Sequence, residues 1–493
     1  MKGYRIFFKH FLGNSPAWYK QLIILFLLLN PLLYYIAGPT ITGWMVLFEF
    51  ILTLVMALKC YPLLPGGLIT IEIVFMGMVG PEEVYHEIQN NLQVIMLLLF
   101  MVAGIHFMKD LLTYIFTKIL VGIKSKMLLS LTFCFLGAIL SAWLDALTVT
   151  AVMITVVTTF YRIYNATSIE ERVPGDKSDG EKHAIAREDL QNFDGFLRNL
   201  LMHGLVGTAL GGVSTMVGEP QNLLIASTMN WTFGEFYINM AHITIPVVFF
   251  GFFTCIYIEL HKVGDYGYKL PKQVRVILEN SAKETEQHMT GTKKWYLLSQ
   301  AACAVWLIVA LALHLAEVGL IGLSIIVLLA TVMGKTNEHT IGNAFQEGTP
   351  FVSLLITFFV VVAMIEHNHL FEPVLEHAMT FDGISQTYFF FMASALLSII
   401  SDNVFVATIY MKQAAELLAG DPEQLRNVAV AINVGTNIPS IATPNGQAAF
   451  LFLLTNNIAG RIQLSYFKMI KMAFPYLVVL LMVTLIFLGI DWF

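Results

Sequence analysis

Apolar stretches longer than about 18 residues recur along nearly the whole chain, and that one pattern leaves little choice of fold. Runs of this length cross a bilayer as helices, which satisfy their own backbone hydrogen bonds. The chain therefore reads as an all-α polytopic membrane protein. Of its 493 residues 57% are hydrophobic and only 13% charged, so a secreted fate is excluded. The basic N-terminus, MKGYRIFFKHFLGNSPAWYK, has no small-x-small cleavage site before the first apolar stretch, so an uncleaved first helix is expected. The four cysteines, Cys60, Cys134, Cys255 and Cys303, share no C-x-x-C spacing and behave as small hydrophobes. Neither a disulfide nor a bound cofactor is expected, and the net charge of −6 speaks against a nucleic-acid partner.

The apolar segments place spans near 21–36, 41–58, 65–79 and 91–117, a run over 127–161, and spans near 199–229 and 238–260. After a charged stretch come spans near 296–315, 318–334 and 349–365, a run over 383–411, and spans near 427–458 and 470–490. With the N-terminus in the cytoplasm, only Lys412 and Arg426 of the 28 Lys and Arg fall outside, which satisfies the positive-inside rule. The segments PEEVYHEIQN and EHNHLFEPVLEHAMTFDG contain no Lys or Arg and read as outer loops. Residues 162–198 and 261–294 are charged, mixed in sign and poor in aromatics, and read as cytoplasmic linkers, with SIEERVPGDKSDGEKHAIARED expected to be mobile. The chain ends soon after its last span, so no C-terminal regulatory domain is expected.

The run from Met127 to Tyr161 is 35 residues with one charge, Asp145, at its middle. One crossing needs about 20 residues and two need about 40, so a re-entrant helical hairpin fits better. The run from Gly383 to Met411 has Asp402 as its only acidic residue, and the count of spans brings it in from the opposite face. The two runs are related. At an offset of 257, Ser141, Asp145 and Val149 fall on Ser398, Asp402 and Val406; at an offset of 228, Val206, Gly207, Thr208, Thr215 and Gly218 fall on Val434, Gly435, Thr436, Thr443 and Gly446. An internal duplication entering from opposite faces is the inverted-repeat pattern of ion-coupled transporters.

An intramembrane carboxylate is costly, and Asp145 and Asp402 are therefore site candidates by default. Opposite the two hairpin tips should lie the polar breaks Gly218-Glu219-Pro220-Gln221-Asn222 and Thr443-Pro444-Asn445-Gly446-Gln447. Proline lacks a backbone donor and glycine tolerates unusual dihedrals, so each break frees carbonyls in mid-membrane. Such backbone survives there only where it lines a cavity or is buried in protein. Carboxylates, carbonyls, amide oxygens and hydroxyls are hard ligands suited to a hard cation such as Na+. The expected cation and proton site is Asp145, Asp402, Asn403, Thr443, Asn445, Gln447, Glu219 and Asn222, with Asp145 and Asp402 holding Na+. A Gly/Pro break alone is as often a packing kink, and Glu219 fits a polar strut as well as a site. Glu49, Glu72 and Glu317 have no repeat partners, so interhelical hydrogen bonds are the expected role. His106, His203 and His314 read as helix-packing residues before proton relays.

At these residues the chain resembles the NhaB-type sodium/proton antiporters of the ion transporter superfamily. The likeness runs through NSPAWYK, MALKCYPLLPGGL, SKMLLSLTF, LDALTV, GTALGGVSTMVGEPQNL, LALHLAEVGLIGLS, SDNVFV and ATPNGQAAFLFLLT. It implies a multi-pass protein of the bacterial inner membrane that expels Na+ or Li+ in exchange for protons, with no enzymatic activity. Membrane lipid surrounds such a protein, and the superfamily implies a homodimer. The aspartate of the family's LDALT motif maps onto Asp145, and that of its SDN motif onto Asp402. The superfamily also implies a scaffold and a transport domain. On that pattern 1–123 and 295–381 are scaffold helices, 124–261 and 382–493 are the two halves of the transport unit, and 262–294 is a cytoplasmic linker. Carboxylate-transporting relatives carry Ser-Asn-Thr at the hairpin tips, where this chain has Leu-Asp-Ala and Ser-Asp-Asn, so a titratable cation site is favoured over a Na+-coupled carboxylate symporter. An intramembrane aspartyl protease would want GxGD around one aspartate, and neither run supplies it.

Overall fold

The computed structural model of the chain describes residues 2–166, 179–346, 348–378 and 380–490. Every regular element among them is helical. The first half holds α1 (Lys2–His10), α2 (Ala17–Val55), α3 (Leu63–Phe75), α4 (Pro81–Asn90), α5 (Leu92–Met96), a π turn over Leu97–Met101, α6 (Val102–His106) and α7 (Lys109–Gly122). It continues with α8 (Lys126–Trp143), α9 (Ala146–Ala166), α10 (Asp179–Gly212), α11 (Pro220–Met229) and α12 (Phe233–His261). The second half holds α13 (Lys272–Gln287), α14 (Gly291–Ala312), α15 (Val318–Val332), α16 (Glu338–Phe345), α17 (Thr349–His367), α18 (Glu372–Ala378), α19 (Gly383–Ser398) and α20 (Asn403–Leu417). It ends with α21 (Pro422–Asn437), a 3-10 turn over Pro439–Ala442, α22 (Ala448–Thr455), α23 (Asn457–Arg461) and α24 (Tyr466–Leu488).

By length and composition seven of the described helices can cross a membrane, or eight if α4 and the bent segment after it count as one span. One of the seven, α2, is two arms. Gly38, at φ 81°, breaks its helical path just before Pro39. Asn30 and Glu49 would lie roughly 28 Å apart on a straight helix, yet the Asn30 amide donates to Glu49 Oε2 at 2.8 Å. The chain must double back at Gly38, which yields the two spans expected near 21–36 and 41–58. The same amide donates to Glu72 Oε2 of α3 at 2.9 Å, so both glutamates serve the interhelical bonding expected of them. The span expected over 91–117 is divided, because the helix ends at His106 and restarts as α7 at Lys109.

Residues 188–198 differ from the linker reading. They belong to α10, with Phe193, Phe196 and Leu197 buried, because their apolar spacing continues the stripe of the span that follows. Residues 272–287 of the second presumed linker form α13. Of the segment expected to be mobile, 168–178 lie outside the described residues, and 179–189 are helical, the start of α10.

α8 lies against α10 closely enough that a Cβ on Gly207 would stand 2.1 Å from Cys134 O, and one on Gly211 only 1.8 Å from Ala138 O. Small residues are what let two membrane helices approach to backbone contact. Toward one end of this pair Glu259 of α12 accepts from Lys126 and, at 3.0 Å, from Ser130 of α8. It also meets His203 Nε2 of α10 at 2.8 Å. His203 Nδ1 lies 2.7 Å from the Tyr476 hydroxyl of α24, so this histidine is a fully buried strut among three helices. On the acidic segment around α4, Glu83 accepts from the Gly80 backbone N–H at 2.7 Å and meets His367 Nδ1 at 2.8 Å. Those two contacts hold its carboxyl below the usual range.

Candidate functional site

Between α8 and α9 the helix breaks for two residues, and Asp145 supplies the first turn of α9 with an acceptor: its Oδ2 takes the Thr148 N–H at 3.0 Å and the Thr148 hydroxyl at 3.3 Å. Asp402 does the same for α20, its Oδ1 accepting from Val404 N at 2.9 Å and Phe405 N at 3.4 Å. Both aspartates are N-caps, a role the sequence reading did not weigh.

The duplication seen in the residues is a duplication of contacts. Ser141 Oγ donates to Thr208 O at 2.7 Å, and its counterpart Ser398 Oγ to Gly435 O at 3.1 Å. Thr215 Oγ1 donates to Ala142 O and Thr443 Oγ1 to Ile399 O, each at 2.5 Å. A Cβ on Gly218 would come within 2.8 Å of Ser141 O, and one on Gly446 within 2.4 Å of Ser398 O, so glycine is required where each break meets its hairpin. At the same offset Glu219 falls on Gln447, and these two are the residues that precede α11 and α22.

Four helix N-termini, those of α9, α11, α20 and α22, meet at one cavity of about 20 Å³. Its lining includes Asp145, Glu219, Asp402, Asn403, Gly446 and Gln447. Helix N-termini present positive partial charge, and here three carboxylates of the chain itself answer it. Glu219 lies within electrostatic range of both aspartates. Glu219 Oε1, Asn403 Oδ1 and both amide atoms of Gln447 are buried and have no hydrogen-bond partner among the described residues. Buried polar atoms are rarely left so, and a cluster of them around one cavity is a site's signature. A space of this size holds one water-sized group. Among the described residues no three His, Cys, Asp or Glu side chains converge tightly enough to hold a metal ion, so a cation here would also draw on neutral oxygens.

Of the eight residues expected at the site, Asp145, Asp402, Asn403, Gln447 and Glu219 line the cavity, and Asn222, Thr443 and Asn445 do not. Asn222 Nδ2 donates to Gly212 O and Thr215 O, both at 2.7 Å, closing the carbonyls that the break in α10 frees. Thr443 serves Ile399 O, and Asn445 Nδ2 donates to Val55 O of α2 at 2.5 Å. The freed carbonyls are thus largely bonded within the protein. Gln221, Phe351 and Tyr61 were not among the site residues expected from the sequence. Gln221 lines the cavity and donates to Asn437 Oδ1 at 2.9 Å, while Asn437 Nδ2 donates to Asn222 Oδ1 at 3.0 Å, which laces the two breaks together. Phe351 of α17 closes one wall. Tyr61, whose hydroxyl donates to Pro350 O at 2.7 Å, is within electrostatic range of Asp402. The place of Gln221 inside the GEPQN break was a usable signal; nothing in the pattern around Phe351 or Tyr61 marks them.

A family model described as bacterial Na+/H+ antiporter B (NhaB) matches residues 1–492. The chain is 52% identical over 481 residues to a Na(+)/H(+) antiporter NhaB of Marinobacter nauticus, covering 96% of each protein. It is 53% identical over 487 residues to one of Shewanella halifaxensis, with 97% of this chain and 91% of that protein covered. With one of Klebsiella pneumoniae the identity is 52% over 488 residues, covering 98% and 94%.

Proposed function

Because the chain belongs to the bacterial Na+/H+ antiporter B family, we propose that it expels cytoplasmic Na+, or Li+, across the bacterial inner membrane in exchange for outside protons at the cavity between Asp145 and Asp402. The observation that carries this site is the meeting of three carboxylates and unbonded amide groups at one water-sized space. A carboxylate can hold a proton or a cation but hardly both, so the two substrates compete for Asp145 and Asp402. Glu219 and the neutral oxygens of Asn403 and Gln447 complete the shell. Asn222, Thr443 and Asn445 keep the breaks in shape around it. Proton entry from outside releases Na+ outward, and cytoplasmic Na+ releases the proton inward.

A dicarboxylate is a poor fit, although helix N-termini favour anions. The protein's own carboxylates stand where that substrate's would. The direct test is an imposed proton gradient in everted membrane vesicles: adding Na+ should collapse it only when this protein is present. A gradient that Na+ leaves untouched would overturn the assignment.

Alternating access needs a moving part. The helix pairs α8–α9 and α19–α20 are read as re-entrant hairpins of a transport unit, together with the broken helices α10–α11 and α21–α22. The helices before Ile123, and those from α14 to α18, form the scaffold against which it moves, and carry the homodimer contact that the superfamily implies. If the repeats are inverted, the first hairpin has its feet in the cytoplasm and the second outside. In a cysteine-free background, cysteines at the exposed positions Ser125 and Arg162 should react with a membrane-impermeant thiol reagent only from the cytoplasm. Those at Ser385 and Ala419, also exposed, should react only from outside. Reaction of both pairs from the same face would defeat the inverted arrangement.

A further inference from the structure

We propose that Lys412 is a positioning residue for the exchange: it latches the outer end of the second hairpin to the scaffold, and its release opens the cavity to the outside. This rests on the reading of α19–α20 as part of a moving unit. Lys412 is one of only two Lys or Arg on the outer side of the positive-inside assignment, so it sits where that rule disfavours it. Its ammonium reaches two carboxylates of different helices. Glu366 Oε1 of α17 is 2.8 Å away, and the other contact is Glu87 of α4. Glu87 is buried and further held by the Asn91 amide at 2.8 Å. One cation on the proposed transport unit thus bridges two anions on the proposed scaffold.

Inward from this bridge α20 touches the scaffold through rings, Phe405 on the face that carries Lys412 and Tyr410 on another. Phe405 stands 5.8 Å from Phe50 and 5.9 Å from Phe358, and Tyr410 6.1 Å from Phe371, centroid to centroid. Ring contacts of this kind are spread over a surface and change gradually as two faces slide. A lysine between two carboxylates is either made or broken, and a partner left buried alone is strongly unfavourable. The bridge therefore gives the interface two discrete states. Its lever arm is short: α20 runs roughly 15 Å from the Asp402 cap to Lys412, so a shift of the outer end is delivered by a stiff helix to the exchange site. Phe351 walls the cavity from the scaffold, and Tyr61, bonded to the neighbouring Pro350 carbonyl, is within electrostatic range of Asp402. With the latch made, the outer route is shut.

The test uses Thr408, buried one turn inward from Lys412, as a reporter. In the full-length, cysteine-free protein carrying Thr408→Cys, a membrane-impermeant maleimide added from outside should react slowly. Adding Lys412→Gln should speed the reaction by about tenfold or more, as when a minor open state becomes the major one. Lys412→Arg should leave it slow. The charge swap Lys412→Glu with Glu366→Lys, made together with Glu87→Gln so that the new carboxylate does not face an old one, should return it to the slow rate, a rescue that a general loosening of the fold does not produce. If Lys412→Gln fails to insert, Glu366→Gln, at the more exposed arm of the bridge, replaces it with the same expectation. An unchanged rate in an inserted variant, or fast reaction in the swapped pair, overturns the latch. Labelling does not require transport. Fast labelling in a protein without Na+-dependent collapse of a proton gradient would keep the latch and remove the exchange function, and the reverse outcome would do the opposite.

Discussion

Asp145→Asn is expected to reduce Na+/H+ exchange to the level of vesicles lacking the protein, while the variant still inserts in normal amount. The structure makes this substitution unusually clean. Asp145 caps α9 through Oδ2, and asparagine is about as good an N-cap as aspartate, so the break and the helix start should survive. What goes is the negative charge and the ability to exchange a proton for a cation. Asp402→Asn follows the same reasoning, because its Oδ1 caps α20 in the same manner. Exchange of near-normal rate and pH dependence in either variant, measured in everted vesicles, would sink the two-aspartate site. Loss of a variant from the membrane would instead show that the cap tolerates no amide, contrary to the behaviour of asparagine at other caps.

Gly211→Ala is expected to remove most of the folded protein from the membrane. Within a helix alanine is ordinarily favoured over glycine, by up to about 1 kcal/mol in the interior and less in the last turn, where Gly211 stands. Here the added Cβ would stand 1.8 Å from Ala138 O, a backbone atom that no side-chain rotation can move. α8 and α10 would have to part along a contact that Gly137 and Gly207 share, at a cost of about 3 kcal/mol, which outweighs the gain in propensity. Gly234→Ala is the control, because nothing lies within 4 Å of a Cβ there. Size-exclusion profiles in mild detergent, and the temperature at which each variant aggregates, should separate the two. Equal behaviour would show that the close α8–α10 approach does not support the fold. The same loss should distort the site, since α8 ends beside Asp145 and α10 ends at the break before Glu219.

Asp145 and Asp402 were legible because a charge inside an apolar run stands out against its neighbours, and the cost of burying it depends on the residue and the run alone. The breaks were legible for a related reason, since proline and glycine act on their own backbone wherever they are placed. The contact duplication followed from residue spacing, and the correspondence of Glu219 with Gln447 could have been read from the same offset. The neutral polar residues were different. Asn222, Thr443 and Asn445 look like ligands in sequence, but which oxygen an amide or hydroxyl serves depends on which carbonyl comes within about 3 Å of it once the helices are packed. That distance is set by chain segments far apart: Val55 for Asn445, and Ile399 for Thr443. The doubling back of α2 was legible as two separate apolar spans, 21–36 and 41–58, but the pairing of Asn30 with Glu49 and Glu72 was not. What the sequence by itself determined was where charge and backbone disorder had to be compensated within the membrane. The tertiary structure alone decided which partner compensates each group, because a hydrogen bond is directional and short-ranged while the cost of burial is neither.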